Sequence, residues 1–284
     1  MIKMLKVANF AAVPHLEETR LMRAHPEGIK FSTTKPNVLV GPNGSGKSSL
    51  LQALALHTLS YFVGRSSFDN NFTSRSPQSE PFWGNEGSPW LKKFKYLPGL
   101  TCDSDFGPAL FYRPGHIPGN DDSVTAAMMC GYFKEARSYG ELVAKKSSGQ
   151  QGQARLAELQ AVLKGEIQDI GYQYVNWTAG KEPRSLNGPG WIGDWDHQAE
   201  VLKAQYAKVS LNAIPVLLMD EPEQSLDARA EVELWNQISN ADMTKLQVIV
   251  ATHSLYPLMH PERFNLIETA PGYASEVRAL MQLS

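Results

Sequence analysis

Residues 41–48 read Gly41-Pro42-Asn43-Gly44-Ser45-Gly46-Lys47-Ser48, directly after the apolar run Asn37-Val38-Leu39-Val40. The octet satisfies the phosphate-loop pattern GxxxxGK[ST]. Its glycines let successive backbone N–H groups turn inward around phosphate oxygens, where a Cβ would intrude. Lys47 would place a point charge on the β- and γ-phosphates, and the Ser48 hydroxyl is a hard oxygen suited to Mg2+. The pattern predicts a strand entering the loop and a helix leaving it, with the positive end of the helix dipole facing the anion. By chance it turns up in about one chain in a hundred of this length, and the strand and helix signals on either side argue against coincidence. Gly41, Asn43, Gly44, Ser45, Gly46, Lys47, Ser48 and Ser49 are therefore the candidate nucleotide contacts.

A second stretch strengthens the reading. Val216-Leu217-Leu218-Met219-Asp220-Glu221 is an apolar strand ending in two carboxylates. Beside a phosphate loop, an acid at such a strand end holds Mg2+ directly or through water. Asp220 is the candidate, sharing the metal with Ser48. Glu221 falls one residue further out, where it can orient or deprotonate a water attacking the γ-phosphate. Two carboxylates buried without a cation would be costly, which disfavours a plain acidic turn. His253 follows another apolar strand, Val248-Ile249-Val250-Ala251. If Val40, Met219 and Ala251 end at one sheet edge, where ligands sit in open α/β sheets, His253 becomes a γ-phosphate contact.

Outward from these stretches, the chain reads as alternating strands and helices, hence an α/β sandwich with helices on both faces. Strands are expected at Met1–Val7, Gly28–Thr33, Asn37–Val40, Val216–Met219 and Leu246–Ala251. Two more, within Trp90–Cys102 and at Pro108–Arg113, flank the turn Asp105-Phe106-Gly107. Apolar spacing predicts helices over Ser48–Val63, Ser123–Tyr139, Gly152–Leu163, His197–Ser210 and Asp227–Ser239. Gly64–Pro89 reads as a loop excursion, and Gly165–Trp195, with Trp177, Trp191 and Trp195, as an insertion.

Composition sets the bounds. The 284 residues carry 27 Lys+Arg against 29 Asp+Glu, with 42% hydrophobic residues. That excludes dominant disorder and an overall basic coat for nucleic acid. No stretch approaches the ~20 apolar residues of a spanning helix, and no export signal is visible. Cys102 and Cys130 lack metal spacing. The expectation is a soluble cytoplasmic protein without a membrane partner.

Taken together, these motifs resemble those of ATP-binding-cassette ATPases, of the soluble branch that includes SMC, RecF and OLD-type proteins, among them small stand-alone AAA-family ATPases. Gly41–Ser48 matches the Walker A loop. Lys146-Ser147-Ser148-Gly149-Gln150 is similar to the signature motif, Leu217–Glu221 to Walker B with its catalytic Glu, Ser225-Leu226-Asp227 to the D-loop, and Ala251-Thr252-His253-Ser254 to the switch-histidine loop. The resemblance implies a mixed sheet, an antiparallel β part and a small helical signature lobe. It divides the single domain 1–284 into a lobe at 114–164 and an insertion at 165–195. It also implies ATP and Mg2+ as cofactors, Glu221 and His253 as catalytic residues, and a homodimer in which Ser147, Gly149, Gln150 and Asp227 contact nucleotide.

Three departures qualify the likeness. Lys146 and Ser148 replace the usual Leu and first Gly of the signature. About 70 residues separate Gly149 from Asp220, where the family has one helix and a short link. No Q-loop glutamine stands at the end of Ala109–Arg113, leaving Arg113 or His116 as substitutes.

The function these features imply is an ATP-binding and hydrolysing switch whose dimer controls an effector protein, a nuclease or toxin, or acts on DNA, in genome maintenance or phage defence. The alternative is the ATPase subunit of a membrane transporter. A guanine-reading Asn-Lys-x-Asp is missing from the sequence, and no carboxylate cluster suggests a nuclease. The basic–aromatic run Trp90–Tyr96 reads more readily as an edge strand than as a DNA groove. The tryptophans of 165–195 would either offer a surface for an effector or a second copy of the chain, or form the small core of the insertion.

Overall fold

Strands that are apolar at every position need cover on both faces, and the parallel sheet of an α/β protein supplies it. In the computed structural model, which describes residues 1–8, 19–58, 61–62, 99–107, 109–114, 156–157, 159–165, 210, 212–224 and 226–281, four such runs form the centre of one sheet. They are β3 (Asn37–Val40), β6 (Ala109–Tyr112), β7 (Val216–Asp220) and β8 (Gln247–Ala251), buried at every position. With β4 (Tyr61–Phe62) and β9 (Asn265–Glu268) they form a six-stranded sheet in the order β4-β6-β7-β8-β3-β9. Every pairing in it is parallel. All six carboxyl ends therefore lie on one edge, where the expected Val40, Met219 and Ala251 come together, β7 running one residue further to Asp220.

A second sheet is antiparallel throughout, with β1 (Ile2–Val7) between β2 (Ile29–Lys30) and β5 (Leu100–Ser104). The expected mixed sheet is thus two sheets, one of each kind, among the described residues. The flanks of Asp105-Phe106-Gly107 are correspondingly not a hairpin: β5 pairs with β1, and β6 with β4 and β7. One buried side chain joins the sheets. Gln247 Nε2 donates to the Ile2 carbonyl at 2.7 Å, and Gln247 Oε1 accepts from the Ile2 N–H at 2.6 Å, so a side chain completes the hydrogen bonding of a strand.

The helix after the phosphate loop, α2 (Lys47–Thr58), follows α1 (Arg20–Ala24) in the chain. Leu50, Leu51, Ala53, Leu54 and Ala55 are all buried, so α2 is covered on more than one face. It stops at Thr58, short of the expected Val63, and Thr58 Oγ1 donates back to the Leu54 carbonyl. Tyr61 and Phe62 turn into the sheet instead.

The helix α3 (Ala228–Ser239) is amphipathic and buries Leu234, Trp235 and Ile238. Trp235 stacks on Tyr256 of α4 (Tyr256–Met259), ring centroids 6.1 Å apart, and meets Phe264 edge-on. A last helix, α5 (Tyr273–Leu280), and the edge strand β9 were not expected from the sequence. Helical residues at 156–157 and 159–163 agree with the expected helix Gly152–Leu163 and bury Leu156, Leu159, Val162 and Leu163.

Cys102 is half-buried, and desolvation pushes its thiol up to about 12, which keeps it protonated and unreactive. Among the described residues, no helix is long and apolar enough to cross a membrane. The expected elements at Gly64–Pro89, Ser123–Tyr139 and His197–Ser210 before its last residue, the signature residues Ser147, Gly149 and Gln150, and Gly165–Trp195 beyond its first residue lie outside the described residues, as do His116 and nearly all of Trp90–Cys102 before β5.

Candidate nucleotide site

The loop between β3 and α2 is built as its sequence requires. Gly44 and Gly46 take φ of +69° and +107°, a region costly for residues with a Cβ. Gly41 is needed for space, because a Cβ there would lie 1.7 Å from Thr269 Oγ1. Thr269 follows β9, its N–H donates to the Val40 carbonyl, and its hydroxyl bonds Ser45 Oγ at 2.7 Å. On the other side, the Leu21 N–H of α1 donates to the Ser45 carbonyl at 3.0 Å. Two segments remote in sequence therefore clasp the loop, while Asn43 and Gly44 at its tip stay exposed. The half-buried Ser48 and Ser49 begin α2, whose first N–H groups lack partners within the helix and suit an anion.

Lys47 is buried, and its ammonium donates to the Gly41 and Pro42 carbonyls at 2.8 and 3.1 Å. Burial lowers its pKa, opposed by the nearby carboxylates of Glu221, Asp220 and Glu223. Ser48 Oγ donates to Asp220 Oδ1 at 2.8 Å, across 172 positions of sequence. The second Asp220 oxygen, Oδ2, is buried without a hydrogen-bond partner and lies 3.5 Å from Arg113 Nε at the end of β6. Burial raises the Asp220 pKa, with Ser48 and Arg113 opposing.

These donors fit Mg2+. A hydroxyl and a carboxylate are hard oxygen ligands, the unmatched Oδ2 offers a further lone pair, and Mg2+ retains several waters and phosphate oxygens. Among the described residues no cluster of three or more His, Cys, Asp and Glu side chains suits a metal, so phosphate and water oxygens would have to complete the shell begun by Ser48 and Asp220. Arg113, one of the two expected Q-loop substitutes (His116 is the other), lies against the Asp220 carboxylate.

Glu221 stands just past the strand with φ +49°, held there by its N–H donating to the Ala251 carbonyl at 2.8 Å. This turn directs the chain away from β7 and leaves the carboxylate partly open, 30% exposed. His253 Nε2 lies 3.4 Å from Glu221 Oε1. Desolvation, then the charge of Lys47, lowers the His253 pKa, so the imidazole is neutral at pH 7. Glu221 and His253 also border a groove of about 540 Å3, whose walls include the exposed apolar Val232, Leu255 and Met259.

Asp227 is the N-cap of α3, its Oδ1 accepting from the Ala230 N–H at 2.9 Å. Sequence reasoning missed Thr269, which closes the phosphate loop, and Glu223, which accepts from three consecutive residues of the histidine loop. Neither has a local signal: Thr269 follows a weak edge strand, and Glu223 reads as one more acid in a turn.

Residues 37–89 match a family of AAA domains described as putative AbiEii toxin, type IV TA system. Comparison with curated proteins returns no match. The family match supports a P-loop ATPase of the AAA type. Its described part spans β3, the phosphate loop, α2 and β4.

Proposed function

We propose that this chain binds ATP with Mg2+ and hydrolyses it to ADP and phosphate. The main support is the convergence, at one edge of a parallel sheet, of a phosphate loop, the Ser48–Asp220 pair and the Glu221–His253 pair. Ser48 and Asp220 would hold the metal, which when bound withdraws charge from the phosphate oxygens. The loop amides and Lys47 bind the phosphates, Lys47 exchanging its two carbonyl contacts for phosphate oxygens. Glu221 takes a proton from the attacking water as the new P–O bond forms and the β–γ bridge breaks, leaving ADP. His253 donates a hydrogen bond to a γ-phosphate oxygen.

Replacing Glu221 with Gln should keep ATP binding and lower hydrolysis about a hundredfold or more, since a positioned base contributes ~10²–10⁴. Lys47→Ala should weaken nucleotide binding itself. Parental turnover in the Glu221→Gln protein would remove Glu221 from its role as base.

The finer reading is a cytoplasmic switch of the soluble cassette branch, working as a nucleotide-dependent homodimer. In it Ser147, Gly149, Gln150 and Asp227 face the partner's nucleotide, and the output goes to an effector protein such as a nuclease or toxin, or to DNA. The AbiEii description belongs to the matched family; brought to this chain, it favours a toxin–antitoxin or phage-defence setting. Light scattering of the Glu221→Gln protein at micromolar concentration tests the dimer. Mass should double with ATP, and a monomer under those conditions counts against self-association.

A further inference from the structure

One carboxylate oxygen accepts from three consecutive residues of the histidine loop. Glu223 Oε1 accepts from the Thr252 hydroxyl, from the His253 N–H at 3.0 Å and from the Ser254 N–H at 3.2 Å. Glu231 of α3 holds the same loop from the other side through the Ser254 hydroxyl. Ser254 Oγ in turn accepts from the Tyr256 N–H that opens α4. The other oxygen of Glu223, Oε2, is buried without a hydrogen-bond partner, so the carboxylate is costly for the fold to keep. Glu223 is two residues from Glu221 in the same turn, and its Gln224 neighbour donates a backbone N–H to the Glu221 carbonyl. One short turn therefore carries both the proposed base and the anchor of the imidazole 3.4 Å from it.

We infer that Glu223 is a positioning residue for hydrolysis, fixing the His253 imidazole against Glu221 by gripping residues 252–254 through one oxygen. This rests on the ATPase reading for its catalytic consequence, though not for the grip itself. Binding of ATP is left to the phosphate loop, whose clasp by Thr269 and Leu21 is separate from Glu223. Loss of the grip should therefore appear in kcat and not in ATP affinity, because small misplacements of a catalytic group are costly to the chemical step.

Three proteins decide it: parental, Glu223→Ala and Glu223→Gln, the last retaining an oxygen that can accept from the loop. Glu223→Ala should lower kcat about ten- to a hundredfold with the ATP dissociation constant within about twofold of parental, and Glu223→Gln should recover most of the rate. Amide exchange of His253, whose N–H donates to Glu223 Oε1, should quicken about tenfold or more in Glu223→Ala, as expected when a charge-assisted hydrogen bond is lost, while that of 249 and 250 in β8 stays protected. The Ser254 N–H keeps its 2.8 Å bond to Thr252 Oγ1 and is not the readout. Parental exchange at 253 in Glu223→Ala would overturn the grip. Changes in kcat, ATP affinity and melting temperature that move together would overturn the positioning role in favour of general stability. Absence of ATPase in the parental protein would refute the functional reading instead, and the exchange result would still decide whether Glu223 holds the loop.

Discussion

Substituting Gly41 with Ala should damage the phosphate loop through a residue 228 positions away. The added Cβ would lie 1.7 Å from Thr269 Oγ1 and 2.9 Å from Thr269 Cβ, well inside contact distance. Thr269 must swing aside and give up its 2.7 Å bond to Ser45, a loss of about 1 kcal/mol for a buried pair. Forcing extra volume into a packed site adds about 1–3 kcal/mol, so the total is about 2–4 kcal/mol. Thr269→Gly removes both offending atoms and should cost about 1–2 kcal/mol alone, from the lost bond and the freer backbone. In the double variant the two costs should fall short of their sum by about 1–2 kcal/mol, as for residues in direct contact. Urea unfolding followed by circular dichroism gives the four stabilities, and ATP titration should show weaker binding in Gly41→Ala with partial recovery in the double variant. If the single costs simply add, Thr269 does not press on the loop and the clasp is wrong.

The site should also be a place where stability is given up for chemistry. Because burial raises the Asp220 pKa, the folded protein holds this proton more tightly than the unfolded chain. Protonation therefore favours folding below the ordinary carboxylate range, and that gain is lost as pH rises through the elevated native value. Asp220→Asn should accordingly raise the melting temperature at pH 7, with the difference shrinking toward pH 4, while Mg2+-dependent ATP binding weakens; a lowered melting temperature at pH 7 contradicts this. Gln247→Leu should destabilise by about 2–4 kcal/mol, since it strands the buried N–H and carbonyl of Ile2, and urea midpoints measure it. For Glu221→Gln, single-turnover hydrolysis beside equilibrium binding separates a lost base from lost affinity.

What could be read from the sequence was local. The phosphate loop is eight contiguous residues with a strand before it, and β7 and β8 are uninterrupted apolar runs, so their edge and the positions of Lys47, Ser48, Asp220, Glu221 and His253 followed. The register of distant segments was not readable. β9 has one fully buried residue, Ile267, among four, too faint a pattern to mark a strand, yet it brings Thr269 to the loop. The two strands flanking Asp105-Phe106-Gly107 were legible, but not their partners: β5 pairs with β1 and β6 with β4 and β7. Asp227 at a helix start satisfies both a capping rule and a motif, and sequence cannot separate them; the structure shows the cap.

The strand order has a consequence for how the protein is made. The phosphate loop is translated at residues 41–48, but β3 pairs only with β8 and β9, and the residue that closes the loop is Thr269. At about 5–20 residues per second, roughly ten to fifty seconds pass between synthesis of the loop and synthesis of its walls. Until β8 is made, β3 is an apolar strand with both edges unpaired, and until Thr269 is made the phosphate loop lacks its closing contact. A ribosome that stops before residue 269 therefore releases a product with the signature of a nucleotide-binding protein and no finished site, so competence arrives only with the last strand.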